Sequence, residues 1–540
     1  MNNNPHTFWC LSYWSQTWAT ATRRNKQIFC GILLIHFVLS LWYILYQGVI
    51  FDEPDYFSYA LSWAKGHPER TLAIMDSKTP MVAPALLPSV FLKPVLPASQ
   101  DVFFFLKAGR PFMYIYQLIG VFTIFCWASR LWGGTRWIMP VLFYCFDPLV
   151  FSYGMFIGSD MASTTILVCT MYFAWRYSES GAKKYWWLLC LSVAIAVLVK
   201  ASLILCYPLL VVLFIYKAFA KRKWGFKITA QRLSQFVLVQ LFVINMAYYF
   251  KGSFTQLGHI HFTSQKFTSI KSALGFANGL PVPLPAAFIQ GVDLVQHNLE
   301  VGASKENSTY PGVSILSTAY LDGGLWYYYV INAVFKLPLF VWLLCIVFTV
   351  RLIYGKNIGA KLKDHIFLWL PFVYFLLVLS LMNKVQIGMR HAMILLPFLY
   401  IALGSSFNWM YKKYRLLFWG FALLHFFSIA RYWPNMVAYT NELIWNKKNA
   451  HKKIRDSSLD YGQGADWAIT FLAANRDYKK PTHIPSPGKF AITVSDLYFK
   501  GIEPKKSLQW IRDNFEPTGH YRYTILLYSI SDSSLKAKGF

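Results

Sequence analysis

The sequence predicts an all-α polytopic membrane bundle carrying outer-side loops and a small C-terminal α/β extracytoplasmic domain. Three observations lead there. The chain has 540 residues, of which 56% are hydrophobic and only 14% charged, whereas a soluble domain carries about 25% charged residues. Its apolar residues fall in runs close to the roughly 20 residues that a bilayer crossing needs. Its net charge of +28 is gathered in alternate short loops, which is the topology signal of a membrane protein rather than a nucleic-acid footprint. An aromatic content of 19% suits a chain with many membrane interfaces.

Eleven spans are expected, near 28–50, 111–129, 137–155, 161–176, 185–199, 201–217, 234–250, 325–350, 366–382, 391–411 and 415–431. Residues 185–217 read either as two spans split at Lys200 or as broken half-helices. The run 28–50 is too long for a signal-peptide core, and no small-residue cleavage pattern follows it, so it reads as an uncleaved first span. Arg23, Arg24 and Lys26 precede that span, and Arg130, Arg136, Lys183, Lys184, Lys217, Lys221, Arg222, Lys223, Lys227, Lys356, Lys361, Lys363, Lys412, Lys413 and Arg415 fall on the same side if the spans alternate. The positive-inside rule makes that side, and the N-terminus, cytoplasmic. Loops 51–110 and 251–324 and the tail 432–540 then lie outside. The domain division is 1–431 for the membrane part and 432–540 for the extracytoplasmic part.

The outer parts carry structure of their own. Residues 54–65 read as an amphipathic helix that Asp52 caps, Pro54 opens and Gly66 stops. Its Tyr56, Phe57, Ala60, Leu61 and Trp63 suit a position in the interface plane. The tail shows helical patterns near 465–474 and 506–515 and strand patterns at 489–494 and 523–528. Seven of the eight cysteines lie in apolar runs and none in 251–324 or 432–540, so neither outer part is stapled by disulfides.

Asp52 and Glu53 follow the first span directly. Two carboxylates at a span end are costly against lipid and need a reason. Helix capping is one. General-base catalysis at the membrane surface is the other: a carboxylate takes the proton of an acceptor hydroxyl while a sugar moves to it from a lipid-bound donor. Such a site also needs cations for the departing phosphate. Lys78 and Arg110 are outer-side cations suited to a phosphate or to snorkelling. Asp160 opens the fourth span, where an N-cap role competes with function. Lys200 and Lys336 lie in apolar stretches, and Arg390-His391 opens the tenth span on the outer face. His259 and His261 lack the third ligand of a metal pattern. Asn307-Ser308-Thr309 is a sequon that matters only in a eukaryotic lumen.

The Asp52-Glu53 pair with Tyr56 and Tyr59 in the next helix resembles the GT-C glycosyltransferases, in the branch of the protein O-mannosyltransferases and the lipid A aminoarabinose transferase. Lys78-Thr79-Pro80 resembles the family's Lys-Pro-Pro segment, with Thr in place of the first Pro. Gly324 to Tyr329 with Phe335-Lys336-Leu337-Pro338, and Gly388-Met389-Arg390-His391 with Leu396-Pro397-Phe398, resemble two further family patterns. Asp456 to Gly464 resembles a stretch of bacterial members in which Trp usually stands at the place of Tyr461. The resemblance implies an inverting transferase of the inner membrane that uses a polyprenyl-phosphate sugar, hexosyl or pentosyl, on the outer leaflet. It implies Asp52 as base, Glu53 as a group positioning the acceptor or a cation, and Lys78, Arg110 and Arg390 as phosphate ligands. Tyr56, Tyr59, Asp160, Lys200, Lys336 and His391 complete the expected substrate-binding set. No cofactor is required by this reading, and a divalent ion at Asp52 and Glu53 is left open. The expected partners are the lipid-linked sugar, the bilayer and an acceptor glycan, lipid or protein, with no nucleic acid. A lipid-linked sugar transporter is the alternative, which intramembrane Lys200 and Lys336 would suit. For Asp456 to Gly464 the favoured role is a structural turn that packs the tail on the membrane part.

Overall fold

Apolar runs without breakers become helices, and Gly or Pro marks where they end or bend. The computed structural model describes residues 17–68, 81–92, 102–221, 226–301, 313–316, 318–320, 324–355, 365–499 and 508–540, and it is mostly helical. Single long helices occupy most of the apolar runs, among them Arg23–Leu45, Tyr114–Trp132, Ser159–Ser180, Lys183–Val199 and Leu396–Lys413. Two runs are interrupted. Residues 137–155 divide into Ile138–Cys145 and Pro148–Tyr153, because Asp147 leaves the helical region and caps the second piece by accepting the N–H groups of Leu149 and Val150 at 2.9 and 3.2 Å. Residues 325–350 divide into Tyr328–Lys336 and Leu339–Ile353, bent by 115° where Pro338 removes a donor. Among the described residues three stretches have the length and hydropathy of a full crossing: Arg23–Leu45, Val102–Trp132 and Met389–Lys413; the bent pair would make a fourth. The count of eleven and the alternation of sides rest on the apolar runs alone.

At Lys200 the break is real. Helix Lys183–Val199 ends there in extended backbone (φ −154°, ψ 125°), a 3-10 turn covers Ala201–Leu205, and the next helix starts at Cys206. The bundle interior is aromatic as well as aliphatic; Trp127 stacks on Trp175 with centroids 5.7 Å apart, next to Tyr172.

The helix after the first span is Glu53–Ala64, and Gly66 (φ 81°) follows its end. Two expectations about it are corrected. Asp52 occupies the N-cap position but makes no capping bond. The apolar face does not lie open to the interface: Tyr56, Phe57 and Ala60 are buried against Met81, Leu86, Leu106 and Val199. An apolar stripe reports that something covers it, and here protein does.

In the tail the strands lie close to their sequence patterns. We number the strands in chain order: β1 (Val313–Ile315) and β2 (Thr318–Tyr320) form a small antiparallel hairpin; β3 (Tyr478–Lys479), β4 (Gly488–Thr493), β5 (Gly519–Tyr521) and β6 (Ile525–Ile530) form a sheet of order β3-β4-β6-β5. β4 and β6 pair antiparallel with Phe490 opposite Tyr528 and Ile492 opposite Leu526. Helix Ala465–Ala474 packs on this sheet through Trp467, which shares a cluster with Ala491 and Ile525.

Candidate functional site

Adjacent residues at the start of a helix point about 100° apart, and this separates the two acids. Glu53 turns inward. Its Oε1 and Oε2 accept from Arg110 Nε at 2.9 Å and Nη2 at 2.5 Å, and also from the backbone N–H groups of Ile157 (3.0 Å) and Ile50 (3.1 Å). Arg110 spends its other bonds on the carbonyls of Gln47 (3.0 Å) and Gly48 (2.8 Å). The two side chains are 0% and 1% exposed. This bidentate pair fixes the turn between the first span and the acidic helix. Arg110 is thus committed to Glu53 rather than turned to a phosphate. Glu53 thus has four donors on its carboxylate. Among the described residues no group of three His, Cys, Asp or Glu is arranged to hold an ion.

Asp52 turns outward. Its side chain is 38% exposed and its Oδ2 lies 3.1 Å from Arg390 Nη1. The same nitrogen reaches Asp160 Oδ2 at 3.2 Å, and Lys200 Nζ meets Asp160 Oδ1 at 3.0 Å. Two acids and two cations therefore alternate as Asp52, Arg390, Asp160, Lys200. They come from the acidic helix, the start of Met389–Leu395, the start of Ser159–Ser180 and the break at Lys200. Asp52, Asp160 and Arg390 line a small cleft with Tyr56, Tyr153, Phe156 and Tyr461. Tyr56 is buried in this wall with its hydroxyl 3.3 Å from that of Ser159. His391 is half-buried beside Arg390, and its charge acts on Asp160.

The C-terminal part of the chain supplies part of the wall. Arg390 lies over the Tyr461 ring, 4.2 Å from its centroid, donates from Nη1 to the Tyr461 hydroxyl and from Nε to Ser457 Oγ (3.2 Å). Burial pushes the Tyr461 phenol well above its ordinary value, so it stays neutral. The stretch 456–464 is held tightly. Asp456 accepts from the Tyr328 hydroxyl and from the Ser458 amide (2.8 Å); Asp460 accepts from the amides of Gly462 (3.0 Å) and Ser495 (2.8 Å). Burial raises both carboxyls, and these bonds oppose it. Gly48 lies so close to Gln463 that a Cβ there would stand 2.7 Å from its carbonyl oxygen. The stretch is the packing turn anticipated from its sequence, and it also delivers Tyr461 to the cleft and Ser457 to Arg390.

Two expected site residues lie elsewhere. Lys336 is buried and donates to the carbonyls of Val437 (2.8 Å) and Ser458 (2.6 Å), tying the bent helix pair to the C-terminal part of the chain. Tyr59 donates to the Pro68 carbonyl at 3.2 Å. Lys78 and the sequon at Asn307 lie outside the described residues. Tyr153 and Ser457 were not anticipated; Tyr153 sits in an interrupted apolar run and Ser457 in a polar one, and neither carries a chemical signature.

Residues 105–249 match the family described as dolichyl-phosphate-mannose-protein mannosyltransferase. That segment contains Arg110, Asp160 and Lys200, and the match agrees with the resemblance to the GT-C glycosyltransferases. Among solved structures, ArnT from Cupriavidus metallidurans in the apo state is similar at 15% identity over 70% of this chain and 59% of that one, with a TM-score of 0.44. ArnT from the same organism bound to undecaprenyl phosphate is similar at 14% identity over 72% and 61%, with a TM-score of 0.45. The chain thus spans about three fifths of the length of those proteins. No curated protein matches it.

Proposed function

We propose that the protein is an integral-membrane glycosyltransferase that moves one sugar from a polyprenyl phosphate to an acceptor outside the cytoplasm. The observation that carries this reading is the division of labour in the acidic pair: Glu53 is spent on Arg110, while Asp52 stands half-open at a cleft lined by Arg390 and Asp160, with Lys200 paired to Asp160 behind it. The matched family acts on a polyprenyl-phosphate sugar by its description, and the chemistry fits the cleft. The acceptor oxygen attacks the anomeric carbon, its proton passes to Asp52, and the bond from that carbon to the phosphate oxygen breaks. The prenyl phosphate leaves with one more negative charge, which Arg390 and Lys200 are placed to meet. Attack opposite the leaving group inverts the anomeric centre. Asp160 holds the two cations at a fixed spacing, and Tyr56, Tyr153 and Tyr461 wall the cleft. A site that opens outside the cytoplasm puts the C-terminal domain there and the N-terminus inside, in keeping with the basic loops. The test is transfer from a synthetic polyprenyl-phosphate sugar by purified protein. Wild type turns over and Asp52→Asn is slowed by roughly 10²–10⁴-fold, the usual worth of a general base; equal rates would remove Asp52 from that role.

A further inference from the structure

We infer that residues 249–254 and the turn 274–281, which follow helix Phe226–Ala247, form an aromatic wedge seated in the outer leaflet of the bilayer. The argument begins inside the helix. Leu238, Phe242 and Met246, spaced four apart, are exposed along one face, as expected of a surface turned to lipid. The stripe continues past the helix end: the Phe250 ring lies 6.3 Å from that of Phe242, and Phe250 and Phe254 are 53% and 63% exposed. Tyr249, Phe250 and Phe254 all take positive φ (55°, 58° and 62°), a conformation that bulky L residues avoid. The backbone holds it through bonds of Phe254 N to the Val282 carbonyl (2.9 Å) and Leu257 N to the Leu280 carbonyl (3.1 Å). That pairing sets Leu280, 61% exposed, opposite Leu257, and Phe276, in the turn beyond it, is 87% exposed.

A large apolar patch that water would penalise is thus continuous with the exposed stripe of the helix expected to span near 234–250, and aromatic rings favour the headgroup level. The bilayer is the occupant that this continuity selects, and the orientation of the proposed function, on which this rests, makes it the outer leaflet. The wedge is also bonded to the far end of the helix that begins at Glu53. Tyr249 Oη donates to the Trp63 carbonyl (3.0 Å), Lys251 Nζ to the Gly66 carbonyl (2.6 Å), and Trp63 Nε1 to the Ala247 carbonyl (2.8 Å). Seating the wedge therefore sets the height of the acidic helix relative to the lipid.

The test uses the full chain with Cys10 and Cys30 replaced by Ser and Phe276→Cys carrying an environment-sensitive fluorophore. The protein is placed in vesicles of phosphatidylethanolamine and phosphatidylglycerol. Lys536→Cys, exposed on the last helix of the outer domain, is the control. The label at 276 is expected to be quenched several-fold more by a nitroxide-bearing lipid than the control, and several-fold less by aqueous iodide. Equal iodide quenching at both positions would overturn the inference. So would protection at 276 from both quenchers, which would mean that protein covers the patch. Neither result depends on transfer activity.

Discussion

Arg110 separates a structural role from a substrate role. In the sequence it reads as a phosphate ligand; in the structure it is the buried partner of Glu53. Replacing it by Met removes two charge-assisted bonds to Glu53 and the donors to the carbonyls of Gln47 and Gly48. Glu53, fully buried, would keep the amides of Ile50 and Ile157 but lose its counter-charge. Breaking a buried pair by removing one partner costs about 3–5 kcal/mol. Replacing both partners by uncharged residues costs less, because no orphan charge remains. The assay is a double-mutant cycle on detergent-purified protein, read by thermal unfolding, with Arg110→Met, Glu53→Gln and both together. The account expects a large loss for Arg110→Met, partial recovery in the double variant, and a coupling of at least about 2 kcal/mol, as for neighbours in one network. An Arg110→Met protein that melts like wild type but binds the donor poorly would refute this reasoning and return Arg110 to the phosphate.

Lys336→Met strips the carbonyls of Val437 and Ser458 of a donor each, so thermal unfolding should show a loss of about 1–3 kcal/mol per orphaned group, with the donor affinity of the folded fraction unchanged. Gly388→Ala is expected to disturb the site from outside: Gly388 has φ 130° and its Cβ would run into Ser457 Oγ, which Arg390 contacts. Its yield of folded protein or its turnover should fall, and wild-type values of both would contradict the packing. Burial lowers the His451 imidazole of the outer domain to about 4. The unfolded chain takes up that proton near 6.5 while the folded domain refuses it until about 4. Stability therefore falls as pH drops through this window, by up to about 3 kcal/mol; His451→Gln should flatten the pH dependence of the melting temperature there.

Much of the frame was legible because it depends on local pattern. The tail helix at 465–474 and the strands at 489–494 and 523–528 follow from periodicity, and the break at Lys200 from a cation inside an apolar run. Covering and pairing were not legible. The stripe of Tyr56, Phe57 and Ala60 looks the same whether lipid or protein covers it. Asp52 and Glu53 are neighbours in sequence, yet their partners are 338 and 57 residues away, and only the folded chain tells which acid faces which cation. The 115° bend could be read as a Pro, but not as an angle. Tyr461 entered the sequence reading only as a substitution in a packing turn; its place over Arg390 comes from how that turn docks.

The most direct test separates binding from chemistry at Asp52. Donor affinity and single-turnover transfer are measured for wild type and Asp52→Asn with the same synthetic polyprenyl-phosphate sugar. The account predicts donor binding of similar strength in both, because Arg390 and Lys200 remain, together with a loss of transfer of roughly 10²–10⁴-fold in the variant. Transfer at the wild-type rate by Asp52→Asn, or a loss explained wholly by failure to bind the donor, would contradict it.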